Sequence, residues 1–174
     1  HVRVYMPNAT SRANHALVYS THAEQCSTIR TFLDIIAGAS DPSVRIVTDT
    51  TFYYSYSDGA GHARVATSRD RGETWTKSVD LGVPFSIRNS AFTMVVAGDG
   101  DRAAVAFLGT PTQGSIQASK FGKTADGKSY GGAEWHLYVA TTYDRARTWS
   151  TVDATPTDPV QRGCIWLSGG GNPC

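Results

Sequence analysis

Two stretches of the chain align without a gap, and no other feature constrains the fold as tightly. The first is His62-Ala63-Arg64-Val65-Ala66-Thr67-Ser68-Arg69-Asp70-Arg71-Gly72-Glu73-Thr74-Trp75-Thr76, and the second is His136-Leu137-Tyr138-Val139-Ala140-Thr141-Thr142-Tyr143-Asp144-Arg145-Ala146-Arg147-Thr148-Trp149-Ser150. Each reads as a strand, a tight polar turn and a Trp that opens the next strand. A repeat at this spacing implies an architecture built by repeating one small unit. Alternation of apolar and polar residues with β-rich composition predicts four strands in each unit. In the first they are Val44–Thr48, Phe52–Tyr56, Ala63–Thr67 and Trp75–Val79. In the second they are Phe92–Ala97, Ala103–Leu108, Trp135–Thr141 and Trp149–Val152. Ser57-Asp58-Gly59 and Gly98-Asp99-Gly100-Asp101 carry the residue types that hairpin turns need. The expected class is therefore all-β. Four antiparallel strands per unit of about 40–50 residues match the arithmetic of propeller blades.

The repeated turn has a physical logic. In Ser68-x-Asp70-x-Gly72-x-Thr74-Trp75 the Asp carboxylate can accept backbone N–H groups of its own turn. Gly72 supplies a positive φ without steric cost, and Trp75 offers a large apolar ring for packing against a neighbouring sheet. Ser68, Asp70, Gly72 and Trp75, with Thr142, Asp144 and Trp149 in the second copy, are read as fold-locking residues and not as catalytic ones. The second copy has Ala146 where the first has Gly72. That turn is expected to be strained or shaped differently.

These residues resemble the Asp-box of the sialidase and BNR-repeat superfamily, with a complete match in the first copy and one departure, Ala146, in the second. The resemblance covers about residues 41 to 166 and implies a partial β-propeller of four-stranded antiparallel blades. On that reading residues 41–88 form one blade and 89–157 a second. An inserted loop spans 110–133, residues 158–174 begin a further blade, and 1–40 belong to a divergent one. Within 1–40, Val2–Met6 and Ala16–Ser20 read as strands, while Thr28–Ala37 reads equally as strand or short helix. Propellers have about four to eight blades. The chain is thus expected to be a fragment, or to complete a ring with other chains.

The resemblance also implies a catalytic set: three arginines on a substrate carboxylate, an acid/base Asp, and a Tyr nucleophile assisted by Glu. This set is not placed here. Ser86-Ile87-Arg88-Asn89 keeps an arginine but lacks the proline of the family's early Arg-Ile-Pro-type motif. Arg45, Arg88 and Arg162 lie at or near blade openers, and their guanidinium groups suit a bidentate grip on an anionic ligand. Asp41 and Asp158 are similarly placed and are expected to order their turns. Catalytic residues are unassigned. Two functions from different classes follow: glycan or protein binding and scaffolding, or part of an exo-sialidase-like glycoside hydrolase. A purely structural surface protein is the third reading. The aromatic run Phe52, Tyr53, Tyr54 and Tyr56 offers a sugar-stacking platform, although packing suits it better. His62 and His136 occupy equivalent repeat positions and read as structural.

Composition narrows the partners. With 40% hydrophobic and 18% charged residues over 174 positions, the chain can bury a core. A net charge of +1 without basic or acidic blocks gives no support for nucleic acid. No stretch approaches the roughly 20 apolar residues of a membrane helix. The chain opens on His1 instead of Met, which reads as a cut or processed start. Cys164 and Cys174 flank a glycine-rich loop that a disulfide can close, with metal binding the weaker alternative because no His stands at ligand spacing. Cys26 is then left over. Neither metal nor cofactor is expected, and the setting is secreted or cell-surface.

Overall fold

The computed structural model describes residues 2–5, 17–20, 43–47, 50–113 and 132–165. The described chain is all-β and holds antiparallel sheets of two, four and five strands. The small sheet pairs β1 (Val2–Tyr5) with β2 (Leu17–Ser20). Sheet 1 runs in sequence order through β3 (Ser43–Ile46), β4 (Phe52–Ser57), β5 (Ala63–Ser68) and β6 (Val79–Asp80). Sheet 2 does the same through β7 (Asn89–Ala97), β8 (Ala103–Thr110), β9 (Glu134–Thr142) and β10 (Ser150–Asp153), with β11 (Gln161–Arg162) also pairing to β9. Both expected four-stranded units are therefore present, each a meander of neighbouring strands.

The boundaries differ where side chains intrude on the ladder. Trp75 was expected to open a strand, but β6 begins only at Val79. Thr67 N donates to the Thr76 hydroxyl (3.0 Å) while Thr76 N donates to Thr67 O (2.8 Å), and this side-chain bond interrupts the regular pairing. In sheet 2 the strand starts at Ser150, one residue after Trp149. The turns behave as their residues dictate. Asp58 Oδ1 accepts the N–H groups of Ala60 (2.9 Å) and His62 (2.8 Å), and Asp99 Oδ1 those of Asp101 and Arg102 (2.9 Å each).

Sheet 1 lies on sheet 2, and the main core fills the gap between them. Tyr53, Val65 and Leu81 from the first unit meet Val95, Val105, Phe107 and Tyr138 from the second, with Ile87 in the connection. A short 3-10 turn, Val83–Phe85, delivers Ile87 there, and the Phe85 ring packs tilted against Tyr138 at 4.9 Å. Fully burying side chains of this size contributes about 1.5–3 kcal/mol each. Polar bonds fix how the sheets sit: Ser90 Oγ donates to Ser57 Oγ (2.9 Å), Val95 N to Ser43 Oγ (3.2 Å), and Thr151 Oγ1 to Leu81 O (2.8 Å).

The aromatic run is packed on both faces of its strand. All six residues of β4 are buried. Tyr53 enters the inter-sheet core, while Tyr54 and Tyr56 pack on the opposite face with Val44 and Trp75. The sugar platform considered for these residues is thereby removed: a strand covered on both faces offers no ring to solvent. Burial, and then the neighbouring Tyr56, push the Tyr54 hydroxyl well above the usual tyrosine range.

Candidate functional site

The strands carry chemistry to two opposite ends of the sheets. One end holds the repeated turns, and the other holds the β4–β5 hairpin and the starts of β3 and β7.

At the first end the two turns share one hydrogen-bond scheme. Ser68 Oγ donates to Asp70 Oδ1 (2.7 Å), and Thr142 Oγ1 does the same to Asp144 Oδ1 (3.0 Å). Those hydroxyls in turn accept Gly72 N (2.8 Å) and Ala146 N (3.0 Å). Each carboxylate then accepts both polar groups of a Thr. Asp70 takes Thr74 N (2.8 Å) and Oγ1 (2.5 Å), and Asp144 takes Thr148 N (3.0 Å) and Oγ1 (2.6 Å). Thr hydroxyl and then Thr backbone donation hold both carboxyls at about 2, well below the usual aspartate value. Both carboxylate oxygens of Asp70 and of Asp144 are thus engaged within their own turns. Arg71 N and Arg145 N reach back to Thr50 O (3.2 Å) and Asp101 O (3.1 Å), tying each turn to the hairpin beside it. The Arg69 guanidinium donates to Arg145 O, which joins the two turns.

The substitution at Ala146 has a visible consequence. Ala146 keeps the turn by adopting φ 60, in the left-handed region that costs a side chain about 1–2 kcal/mol, where Gly72 sits at φ 91. Trp75 Nε1 donates to Gly72 O (3.1 Å), whereas Trp149 Nε1 is buried and meets no acceptor among the described residues. The two Trp rings also go to different places. Trp149 packs edge-on against Tyr53 of the neighbouring sheet, at 6.4 Å and 84°. Trp75 instead packs on Tyr54 of its own sheet, at 6.1 Å and 74°.

At the opposite end, the β4–β5 hairpin carries a half-buried cluster. Asp58 Oδ2 accepts Arg64 Nε (2.9 Å) and lies 3.2 Å from His62 Nδ1. Burial raises the Asp58 carboxyl, but bonds from the His62 backbone, Arg64 and the His62 ring outweigh it and hold it below the usual range. The repeat-equivalent His136 also meets a carboxylate, with Asp153 Oδ2 at 3.4 Å, and its Nδ1 donates to Thr155 O (2.7 Å). Both histidines are therefore tied into local structure, as their repeat positions imply. Gly61 (φ 93) lets this hairpin press on the start of β7: a Cβ there would lie 2.3 Å from Arg88 O and 2.8 Å from Asn89 Oδ1.

The candidate ligand residues separate on inspection. Arg88 is exposed just before β7, and its backbone N donates to Thr110 O (2.9 Å). Arg162 stands at the same end of sheet 2 but pairs with Glu134, so its charge is already compensated. Arg45 is exposed midway along β3, opposite Tyr53. Among the described residues no side-chain bond or ion pair engages Arg45 or Arg88, and no contact joins the three arginines. Asp158 is exposed and its backbone N donates to Thr155 O (3.3 Å), while Asp153 Oδ1 accepts Thr155 N (2.9 Å) at the same turn. Asp41 lies outside the described residues, as do Thr28–Ala37, Cys26 and the greater part of the 110–133 insertion. Cys164 is half of a disulfide, which removes it from the thiolate metal-ligand reading; its expected partner Cys174 lies outside the described residues.

Phe92 was not anticipated as a site residue. A β-bulge between Ala91 and Met94 leaves it at φ 55, in a region that a bulky residue rarely occupies. The residue is 44% exposed although it sits in a strand beside the core. The alternation Ala91-Phe92-Thr93-Met94 held the signal, since the small residues are buried and the large ones exposed. Among the described residues β7 also ends the hydrogen-bonded order of sheet 2.

No known protein-family model matches the chain, and no curated protein matches it.

Proposed function

We propose that the chain is part of an extracellular, sialidase-like Asp-box β-propeller that binds an anionic glycan along the β7 edge. The observation that carries this reading is an exposed cation at the entry to β7, Arg88, which no ion pair engages among the described residues, four residues before an exposed aromatic residue held at positive φ, Phe92. A strained backbone of this kind costs on the order of 1–3 kcal/mol and tends to persist where it serves a ligand. A sugar face stacks on the exposed ring, and the Arg88 fork receives a carboxylate or sulfate. The two residues are about 13 Å apart at most along an extended strand, which suits an oligosaccharide better than a single ring.

The propeller reading is supported by two successive four-stranded meanders that carry matching locked turns and lie one on the other. Export is supported by the disulfide at Cys164, since such bonds persist in oxidising compartments. Binding is favoured over hydrolysis because Arg162 is compensated by Glu134, and among the described residues no arginine triad with a facing Tyr–Glu pair is assembled.

The test is binding of the purified protein to arrayed acidic and neutral glycans, with Phe92→Ala and Arg88→Ala as variants. Retention on acidic glycans that falls about tenfold in each variant is expected. Equal retention by wild type and both variants would remove the β7 edge from the account.

A further inference from the structure

The two locked turns sort their side chains into two sets. Ser68, Asp70 and Thr74 close the hydrogen bonds of the first turn, and Thr142, Asp144 and Thr148 those of the second. The side chains between them take no part in that scheme, and all are exposed: Arg69, Arg71 and Glu73 in one turn, Tyr143, Arg145 and Arg147 in the other. Tyr143 is 74% exposed.

These outward residues belong to one surface. The Arg69 guanidinium donates to Arg145 O, so the turns touch. Arg145 Nε meets Asp101 Oδ1 at 2.5 Å, which joins the second turn to the β7–β8 hairpin. The Tyr53 hydroxyl donates to Gly100 O (3.0 Å), which joins that hairpin to sheet 1. Asp99 first, then Asp101 and the Tyr143 phenol, raise the Arg102 guanidinium above its ordinary value, so Tyr143 lies beside the hairpin too.

Carboxylates answer only part of the positive charge here. Asp99 pairs with Arg102, and Asp101 with Arg145. Asp70 and Asp144 use both oxygens inside their own turns. Among the described residues no ion pair engages Arg69, Arg71 or Arg147. Counted with Lys77 and Glu73, six cations stand against five carboxylates at this end. Such a near-neutral field exerts little long-range pull on a dense polyanion. Three unpaired guanidinium forks on rigid turns instead suit separate carboxylates, each taken bidentately. Five of the chain's twelve arginines stand here, but only one of its four lysines. Protein interfaces are enriched in Arg and Tyr and depleted in Lys in the same sense, which favours a protein partner over a merely solvated surface.

We propose that the end of the sheets bearing the locked turns docks an acidic peptide segment of a partner protein. Arg69, Arg71 and Arg147 receive its carboxylates, and the Tyr143 ring packs along its backbone. The locked turns hold the backbone under these side chains before the partner arrives, which lowers the ordering cost of binding. The inference goes beyond the glycan reading and does not rest on it, because the length of β7 separates these turns from Arg88.

The test is fluorescence anisotropy of the purified protein with a labelled peptide of alternating Glu and Gly, set against the same peptide with Gln for Glu. The Glu peptide is expected to bind at least about tenfold more tightly. Arg71→Ala combined with Arg147→Ala is expected to weaken it about tenfold, since two exposed fork pairs are lost. Arg71→Lys with Arg147→Lys keeps the charge and is expected to stay at least about threefold weaker than wild type, because an ammonium offers no fork. These side chains lie outside the turns' hydrogen bonds, so both variants are expected to keep the wild-type urea midpoint. Glu and Gln peptides that bind alike would overturn the proposal without any substitution. So would wild-type affinity in either double variant, or displacement of the peptide by a sulfated oligosaccharide of equal charge at a tenth of the concentration that unlabelled peptide needs. Acidic-glycan retention by the double Ala variant is expected at the wild-type level, which tells a failure at the turns from a failure at the β7 edge.

Discussion

Replacing Asp70 by Asn keeps the shape of the turn and removes the charge that three donors address. Asp70 accepts Thr74 N, Thr74 Oγ1 and Ser68 Oγ at 2.5–2.8 Å. Hydrogen bonds to charged groups contribute about 1.5–3 kcal/mol each, neutral ones about half that, and solvent exposure lowers both. Since Asn preserves one acceptor oxygen, a net loss of about 1 kcal/mol is expected for Asp70→Asn at neutral pH. Asp144→Asn shifts stability in the same direction. The charge also sets the acid response. Asp70 and Asp144 are held at about 2 in the folded chain, against about 3.9 for a free aspartate. The unfolded chain therefore binds more protons, so this stabilisation is complete above pH about 4 and lost as the pH falls toward 2. Urea midpoints at pH 7 and pH 3 read both effects. The double variant is expected to start less stable than wild type and to lose less on acidification. An unchanged pH 7 midpoint, or an acid loss equal to that of wild type, would refute the reasoning.

Three further substitutions are diagnostic. Gly72→Ala imposes on the first turn the strain that Ala146 already bears, and is expected to cost about 1 kcal/mol or more by urea denaturation. Ala146→Gly relieves that strain but adds chain entropy and loses a methyl packed on the core, so it is expected to change stability by less than about 0.5 kcal/mol. Trp135→Phe strands Gly163 O, which now receives the buried indole N–H at 2.7 Å, and a loss of about 1–3 kcal/mol should appear in the thermal midpoint.

Much of this was legible because local rules and packing agree. The gapless repeat located β5, β9 and both locked turns, since the Ser/Thr–Asp–Thr spacing closes its hydrogen bonds within a few residues and needs little from elsewhere. The hairpin residues at Asp58 and Asp99 were equally informative for the same reason. What stayed hidden depends on partners distant in sequence. Burial of all of β4 is decided by what covers its second face, and two-residue alternation alone predicts one open face. The exposure of Phe92 follows the local alternation, but the bulge that holds it at positive φ is a register shift against β8, which that alternation does not report. The compensation of Arg162 by Glu134 joins β11 to the start of β9 across the inserted loop, so its charge reads as free in the sequence.

The most direct test of the central claim, that this is a glycan-binding and not a glycan-cleaving propeller unit, sets turnover beside binding in one preparation. The purified protein is offered a fluorogenic sialoside in solution and an immobilised acidic oligosaccharide on a surface. The account predicts retention on the surface, lost in Arg88→Ala, with no release of fluorophore above the no-protein rate. Release of fluorophore by wild type that disappears in Arg88→Ala would contradict it and make the β7 edge part of a hydrolase.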